Sequence, residues 1–340
     1  MLSPLPQVDI SFDKQSEPYY PGDTVKGTVV LTNKTPLDAR CVTIKCRGKS
    51  ETYLINWTDL YCKKDLFRKS EMVWVSKDGQ NKMPEGGYIW TFEIKLPIDC
   101  PPTHEGYAGG TNYKVKVEID RPWKCNIREE KEIMVTRKLD IEKKWDQDGY
   151  TFTSNLRSGI FSSNGPISLK VSVPTLVFRQ GQTAEFHFEV KNHSSSTINE
   201  IFIKFGKQVH YHSRNQLTPC RKFDSHSCPL SVYHQTNSSN CIGEATALKV
   251  NVAPYSTKSI ILPFTIPEEA KTPSFSTGLV NFGYFMEFGI VTKLIVQPRM
   301  RATIYVGEMP VDNVTGKDDE KLKKIKQILE SSGAPPAYSE

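Results

Sequence analysis

The sequence predicts an all-β chain made of two tandem β-sandwich domains. Short segments in which apolar and polar residues alternate are separated by turns rich in Gly and Pro, a pattern typical of sandwiches. No segment of useful length with helical periodicity precedes residue 317, and a weak internal repeat runs at a constant spacing of 159 residues. A length of 340 residues fits about two domains of roughly 100–200 residues each.

The repeat is centred on a turn followed by a strand. Gly22 precedes a β-prone run that ends at Asn33, and Gly181 precedes a similar run that ends at Asn192. Because glycine tolerates the positive φ of a tight turn, we expect the two glycines to occupy equivalent turns. The pattern predicts two diverged copies of one domain, over residues 1–150 and 151–310.

The clearest strand precedes Pro97. Five apolar side chains alternate with polar ones along it and should face the first core: Tyr88, Trp90, Phe92, Ile94 and Leu96. Further strands are predicted at 8–12, 25–31, 42–46, 113–119 and 132–139 in the first copy, and at 168–173, 183–190, 200–207, 245–252, 258–264 and 294–296 in the second. Residues 143–165 show no sustained period, so we place the domain junction there. Trp123 follows a strand end and is expected to pack against the core.

The C-terminal segment, 311–340, has a different character. Leu322, Ile325, Ile328 and Leu329 recur at helical spacing with charges between them, which predicts one short amphipathic helix over 317–330. The tail that follows, 334–340, has almost no apolar surface to bury and is expected to be disordered.

Bulk composition and the N-terminal residues indicate a cytoplasmic protein. The net charge of +6 is mild and does not call for nucleic acid as a partner. The first residues contain no apolar run of signal-peptide length, and the most apolar late stretch, 278–298, is interrupted by Asn281, Glu287 and Lys293. We therefore expect the eight cysteines to be reduced.

Several motifs resemble those of one known family. They are Pro21-Gly22-Asp23 before a Val-x-Gly strand, Leu96-Pro97 followed by the run YKVKVEIDRPW at 113–123, and the Gln180-Gly181 turn followed by Val190-Lys-Asn192. On these residues the chain resembles the α-arrestins, the arrestin-domain-containing adaptors, over about residues 8 to 308. The resemblance implies two arrestin-like, immunoglobulin-type β-sandwiches, no enzymatic activity and no cofactor. It also implies an adaptor, peripheral at the plasma membrane and endosomes, that engages the cytosolic tails of membrane receptors or transporters.

Pro335, Pro336 and Tyr338 form the sharpest chemical signal in the chain. A Pro-Pro-x-Tyr segment favours the polyproline II conformation, which docks into the aromatic groove of a WW domain. Members of the family that the chain resembles use such motifs to recruit WW-domain HECT-type ubiquitin ligases. The function implied is an adaptor that brings membrane cargo to a ligase for ubiquitination, endocytosis and endosomal sorting. The alternatives are a coat subunit similar to the arrestin-fold subunit of retromer, or a signalling scaffold, with an incidental tail.

Arg40, Lys45, Arg47 and Lys49 make one stretch of the first domain basic. Such a face suits a phosphorylated or acidic partner. The alternative is a solvated sheet face with charges of both signs, which is common on exposed strands.

Histidines and cysteines gather in one polar stretch of the second domain. They are Cys220, His226, Cys228, His234 and Cys241, with His210 and His212 upstream. These residue types suit zinc, but the spacing lacks the C-x2–4-C knuckle of common zinc sites. We therefore expect an irregular loop with free thiols and no metal, with zinc as the alternative. No Gly-x-Ser-x-Gly elbow, phosphate loop or His-Glu-x-x-His motif occurs, so no enzyme is predicted.

Overall fold

The computed structural model describes residues 5–14, 16–56, 58–139, 149–156, 165–213, 220, 223, 228, 235–292 and 299–308. Apart from a 3-10 turn at Lys77–Gly79, every regular element in these residues is a β-strand. The all-β prediction is therefore confirmed. The predicted strand at 294–296, the C-terminal helix and the tail lie outside the described residues.

The chain divides into two compact units. Unit 1 comprises Met1–Arg137, Val209–Ser238 and Phe275–Phe282, and unit 2 comprises Lys138–Gln208, Ser239–Ser274 and Gly283–Glu340. Unit 1 thus takes most of the predicted first domain together with two segments of the predicted second.

The strands of the N-terminal copy all lie in unit 1. Their bounds are β1 Gln7–Phe12, β2 Thr24–Asn33, β3 Leu37–Asp38, β4 Cys41–Asn56, β5 Thr58–Val75, β6 Lys82–Met83, β7 Gly86–Lys95, β8 His104–Gly106, β9 Gly109–Asp120 and β10 Ile127–Ile133. One sheet has the order β1-β2-β7, a second has the order β10-β9-β4-β5 with β8 beside β9, and β3 pairs with β6.

The first core fills the space between the two larger sheets of unit 1. It consists mainly of aliphatic side chains that alternate inward from β2, β4 and β9, among them Val29, Ile44 and Val117. From β7 and the residue after it, Phe92, Ile94 and Leu96 belong to the buried core, and Tyr88 and Trp90 pack against it. The predicted inward face of this strand is therefore confirmed.

The remaining strands begin at residue 150. Their bounds are β11 Tyr150–Leu156, β12 Ile167–Val173, β13 Val177–Phe178, β14 Thr183–Asn192, β15 Ile198–His212, β16 Gln235–Cys241, β17 Thr246–Val252, β18 Thr257–Thr265, β19 Phe275–Ser276, β20 Val280–Thr292 and β21 Arg299–Val306. One sheet has the order β11-β12-β14-β18, and the other has the order β13-β21-β20-β15-β16, with β17 beside β15 and β19 beside β20.

The core of unit 2 is built from aromatic rings. Phe186 on β14 lies 5.8 Å from Phe288 on β20 and 6.3 Å from Phe264 on β18, measured between ring centroids. Phe205 on β15 lies 5.3 Å from Tyr284. These rings are almost completely buried and supply large apolar area, and their edge-on, tilted and stacked contacts stabilise the cluster.

The two copies predicted from the sequence repeat share one backbone frame. Strands β2 and β14 begin and end at residues that differ in number by 159. Gly22 and Gly181 both have positive φ, at 84° and 70°, and both precede these strands. The prediction that the two glycines occupy equivalent turns is confirmed.

Three details differ from the sequence predictions. Strand β11 lies within 143–165, where no sustained period was found, and pairs with β12. The strand predicted at 132–139 is displaced, because β10 ends at Ile133. Trp123 is fully exposed rather than packed in the core, because it has a positive φ of 57° in the turn between β9 and β10.

Within the described residues, the structure contains no helix with the length and hydrophobicity needed to cross a bilayer.

Candidate functional site

The Pro335–Pro336–Tyr338 motif lies outside the described residues. Its ability to bind a WW domain stays a prediction from the sequence. The described residues instead show the basic stretch of the first copy and the histidine–cysteine stretch of the second.

The four cations of the basic stretch are all held by carboxylates. Lys45, Arg47 and Lys49 alternate along one face of β4, while Cys46 and Ser50 point into the interior. Lys45 Nζ lies 2.6 Å from Glu118 Oε1, and Arg47 Nε donates to Asp65 Oδ1 at 2.9 Å. Lys49 Nζ donates to Glu51 Oε1 at 2.9 Å, and Arg40 Nε lies 2.7 Å from Asp120 Oδ2.

This face continues as a lattice of charges across β9 and β10. Glu118 also accepts a hydrogen bond from Arg128 at 2.9 Å and lies 3.4 Å from Lys116. The Lys45 hydrogen bond is the largest of several contacts that lower the pKa of Glu118 to about 2. Glu118 is therefore ionised throughout the physiological range and stabilises the cations around it.

The charge balance limits what the face can bind. A phosphorylated or acidic partner would have to displace carboxylates that already contact Arg40, Lys45, Arg47 and Lys49. The geometry matches the alternative of a mixed-charge, solvated sheet face. Binding of an acidic partner here stays a prediction.

The second stretch forms a compact cluster. His210, His212, Cys220 and Cys228 each offer one ligand atom, and these four atoms all lie within 4.8 Å of one another. Both histidines are completely buried, Cys220 is buried and Cys228 is half-buried. All four residues belong to unit 1. We call this set the His2Cys2 cluster.

Strand geometry brings the two histidines together. Residues two apart on a strand face the same side, and the rings of His210 and His212 near the end of β15 lie 4.3 Å apart at an interplanar angle of 81°. His212 Nε2 lies 3.4 Å from Cys228 Sγ. His210 Nδ1 lies 2.5 Å from Asn237 Oδ1, so this nitrogen donates and Nε2 is the acceptor nitrogen of the neutral ring.

The backbone around the cluster is anchored on several sides. The His212 N–H donates to Leu279 O at 2.8 Å, and the His212 carbonyl accepts a hydrogen bond from Thr52 Oγ1 at 2.6 Å. Asn281 Nδ2 donates to the Cys220 carbonyl at 2.6 Å. The cluster is thus fixed by backbone contacts and does not depend on the side chains of its own members alone.

Burial disfavours the charged form of the His212 imidazole. Desolvation, with a smaller contribution from His210, lowers the pKa of His212 to about 4. A neutral imidazole beside a thiol resembles a nucleophile–base pair, but the His212 side chain is completely buried among the described residues, which does not favour a catalytic role. Two imidazoles and two thiols enclosed in this way suit the binding of a soft or borderline metal ion.

All four residues of the cluster are among the seven histidines and cysteines singled out in the sequence, but the sequence did not indicate which of the seven come together. Cys241 is exposed and does not join it, and His226 and His234 lie outside the described residues. The His-x-His pattern at 210 and 212 was the available signal, since a strand places both imidazoles on one face. The approach of Cys220 and Cys228 depends on the path of the chain after β15, which no local pattern specifies.

The described residues also line one small pocket of about 210 Å³ in unit 1. Lys64, Asp99, Cys100 and Thr277 are among its walls, and most of the lining is polar. This volume is below the roughly 300–1,000 Å³ typical of small-molecule sites. The pocket does not support a substrate-binding function.

Comparison with known proteins identifies the fold. The sequence model of "Arrestin (or S-antigen), N-terminal domain" matches residues 8–142, and that of "Arrestin (or S-antigen), C-terminal domain" matches residues 163–311. Arrestin domain-containing protein 17 of Caenorhabditis elegans is 24% identical over 254 residues, which cover 66% of this chain and 59% of that protein. Arrestin domain-containing protein 1 of Homo sapiens is 22% identical over 221 residues, which cover 63% of this chain and 49% of that protein.

Two consecutive β-sandwich domains that match these two models define an arrestin-fold protein. The chain belongs to the arrestin family and is α-arrestin-like, as its similarity to arrestin domain-containing proteins shows. It spans about half the length of the curated relatives that it matches.

Proposed function

We propose that this protein is a non-enzymatic adaptor that links membrane cargo to a WW-domain HECT-type ubiquitin ligase. The observation that carries the proposal is the Pro335-Pro336-Ala337-Tyr338 motif on the C-terminal side of two arrestin domains. The arrestin domains would hold the cytosolic tail of a receptor or transporter. The motif would recruit the ligase, so that the protein acts at the plasma membrane and endosomes.

The mechanism is proximity rather than catalysis. Holding a ligase and its substrate on one chain raises the effective concentration of the ligase near the cargo lysines. A single short motif binds at roughly micromolar strength, about 8 kcal/mol, so useful recruitment needs a second contact from the domains, the membrane or another copy. The proposal therefore requires both halves of the molecule.

Binding to a WW-domain array tests the ligase half of the proposal. The full chain and its Tyr338→Ala variant are titrated against tandem WW domains, and we expect the variant to lose at least about tenfold in affinity, since the aromatic anchor supplies much of a short motif's binding energy. Ala337→Ser is the matched control, because the third position of Pro-Pro-x-Tyr is variable. Equal binding by the wild type and Tyr338→Ala would reject the ligase-adaptor function.

That negative result would favour the coat or scaffold alternative. Proximity labelling in cells, with the wild type compared with Tyr338→Ala, then separates the two functions. An adaptor loses ligases but keeps membrane cargo among the labelled proteins, whereas a coat subunit keeps the same neighbours in both forms.

A further inference from the structure

We propose that the His2Cys2 cluster binds one zinc ion that is structural rather than catalytic. The proposal rests on the convergence of His210, His212, Cys220 and Cys228, whose four candidate ligand atoms lie within 4.8 Å of one another in a buried place. Two nitrogens and two sulfurs are one of the standard ligand sets of structural zinc.

The distances fit a tetrahedral ion after a small contraction. With zinc bonds of about 2.3 Å to sulfur and about 2.0–2.1 Å to nitrogen, the edges of a tetrahedron measure roughly 3.4–3.8 Å. The His212 Nε2 to Cys228 Sγ distance of 3.4 Å already has this length. The other separations, up to 4.8 Å, need the ligands to close by about an ångström.

The second layer of contacts supports ligation by His210. A metal-binding histidine usually donates its other ring N–H to an oxygen acceptor, which fixes the tautomer and the ring orientation. His210 Nδ1 makes such a contact with Asn237 Oδ1 at 2.5 Å. Nε2 of His210 is then the ligating nitrogen.

Charge balance favours zinc in this buried position. Binding releases the protons of the Cys220 and Cys228 thiols, and the two thiolates neutralise the charge of Zn²⁺. A neutral complex can be buried without the large desolvation cost of an isolated ion. Four protein ligands leave no open coordination position for a substrate, so the ion would tie the chain after β15 back to the end of that strand.

Metal analysis of the full chain is the direct test. The protein is expressed with zinc in the medium, passed over a chelating resin and analysed by plasma mass spectrometry, and we expect close to one zinc ion per chain. Replacement by Co²⁺ should give the thiolate-to-cobalt charge-transfer band and the strong visible absorption of a tetrahedral sulfur site. Metal-free protein, or a disulfide between Cys220 and Cys228 in freshly purified material, would overturn the proposal.

Variants test the ligand set. Cys220→Ser and Cys228→Ser should each lose nearly all of the zinc, whereas Cys241→Ser and Cys125→Ser, at exposed thiols outside the cluster, should keep it. Asn237→Ala should weaken zinc binding by about ten- to a hundredfold, since it removes the partner of His210 Nδ1. Loss of zinc in Cys241→Ser would show that a different set of ligands holds the ion.

A chelation experiment covers the case in which the cysteine variants fail to fold. Removal of zinc from the wild type by a strong chelator should lower its melting temperature, and added zinc should restore it, because a ligand that binds only the folded state stabilises that state. An unchanged melting temperature together with zinc that is lost on simple dialysis would show adventitious binding and reject a structural role.

Discussion

The next long strand after the repeated one, β4 in the first copy and β15 in the second, has different surroundings in the two copies. At the constant spacing of 159, the outward face of β4, with Lys45, Arg47, Lys49 and Glu51, corresponds to Lys204, Gly206, Gln208 and His210 on β15. Strand β4 alternates strictly between buried and partly exposed residues, whereas most residues of β15 are buried on both faces.

The difference shows how burial changes the types of side chain that corresponding strand positions carry. On the open face the strand carries ion pairs, which solvent tolerates at little gain or cost. On β15 the same four positions hold a partly exposed lysine and a buried glycine, amide and imidazole. The lysine keeps contact with solvent, because an unpaired buried charge would be costly to desolvate. The cluster proposed to bind zinc lies on the covered strand, where ligands are protected from water.

The two cores differ in which strand supplies a large aromatic ring. Gly27 on β2 lies opposite Phe92 on β7, and at the repeat spacing its counterpart on β14 is Phe186, which lies opposite Leu262 on β18. The large ring is thus supplied by one strand in the first copy and by its neighbour in the second. Each pair of facing residues fills the core of its own copy. A large residue on one strand therefore requires a smaller residue opposite it on the neighbouring strand.

The largest expected effect is the removal of the ring from the second copy. Phe186→Ala should destabilise the protein by about 3–5 kcal/mol, since it leaves a cavity among Phe178, Phe264 and Phe288. Urea denaturation followed by circular dichroism measures the change. Ile261→Ala, at a side chain that is half exposed on β18, is the control and should cost less than about 1 kcal/mol. Equal effects at the two positions would contradict an aromatic core in unit 2.

The next effect compares the two asparagines that end the repeated strands. Asn192 donates to the carbonyls of Ser196 and Ala253 and accepts from the Ser194 hydroxyl and N–H, whereas Asn33 donates to the carbonyls of Thr35 and Pro84. Asn192→Ala should therefore cost about 3 kcal/mol and Asn33→Ala about 1–2 kcal/mol, because each buried group that loses its partner is penalised.

Denaturation of the two asparagine variants side by side checks this ranking. Asn237→Ala does not serve as a control, since that amide contacts His210; Asn155→Ala, at an exposed position on β11, does. A larger loss in Asn33→Ala than in Asn192→Ala would mean that the turn of the first copy, not the second, depends more on its asparagine.

The third effect tests why glycine stands at position 27. A Cβ added there would fall inside contact distance of the Ser11 carbonyl oxygen and the Phe92 ring, so Gly27→Ala should cost about 2 kcal/mol through overpacking. Gly87→Ala is the matched control, because it lies on the partner strand β7 with open space around its Cα. Tryptophan fluorescence reports on the first copy, since residues 163–311 contain no tryptophan. A Gly27→Ala variant as stable as Gly87→Ala would show that β1 moves aside easily.

Local sequence patterns were enough to predict the main strands and turns, but not what packs against each strand. The Gly22 and Gly181 turns, the two asparagines and the inward face of β7 are visible in the sequence because alternation and turn chemistry act between near neighbours. The exposure of Trp123 was missed because it depends on a left-handed turn conformation, which a non-glycine residue rarely adopts.

The His2Cys2 cluster shows what the sequence alone does not predict about a site. Its residue types were visible, but whether Cys220, Cys228 or Cys241 approaches the histidines depends on long-range packing. Strand β11 was also missed, since none of its side chains from Tyr150 to Asn155 is fully buried and its sequence gives a weak alternation. Sequence reasoning thus identified the candidate ligands, and the three-dimensional structure selected among them.

The smallest expected effect concerns the open face of β4. Lys45, Arg128 and Lys116 hold the pKa of Glu118 at about 2, below its ordinary value of 4.5. A carboxyl group whose pKa is lowered by folding adds stability at pH values above 4.5, and this contribution disappears as the pH falls towards 2.

Glu118→Gln removes the charge, so the free energy of unfolding of the wild type should exceed that of the variant by about 1 kcal/mol at neutral pH, and this gap should close on acidification. Glu93→Gln is the control, because its ion pair with Lys26 on β2 is more than half exposed and should contribute little. Denaturation of the three proteins at several pH values between 7 and about 3 measures the gap. A gap for Glu118→Gln that is independent of pH would mean that the carboxyl acts by packing alone, and the contrast between an ionic face on β4 and a covered face on β15 would then rest on burial without electrostatics.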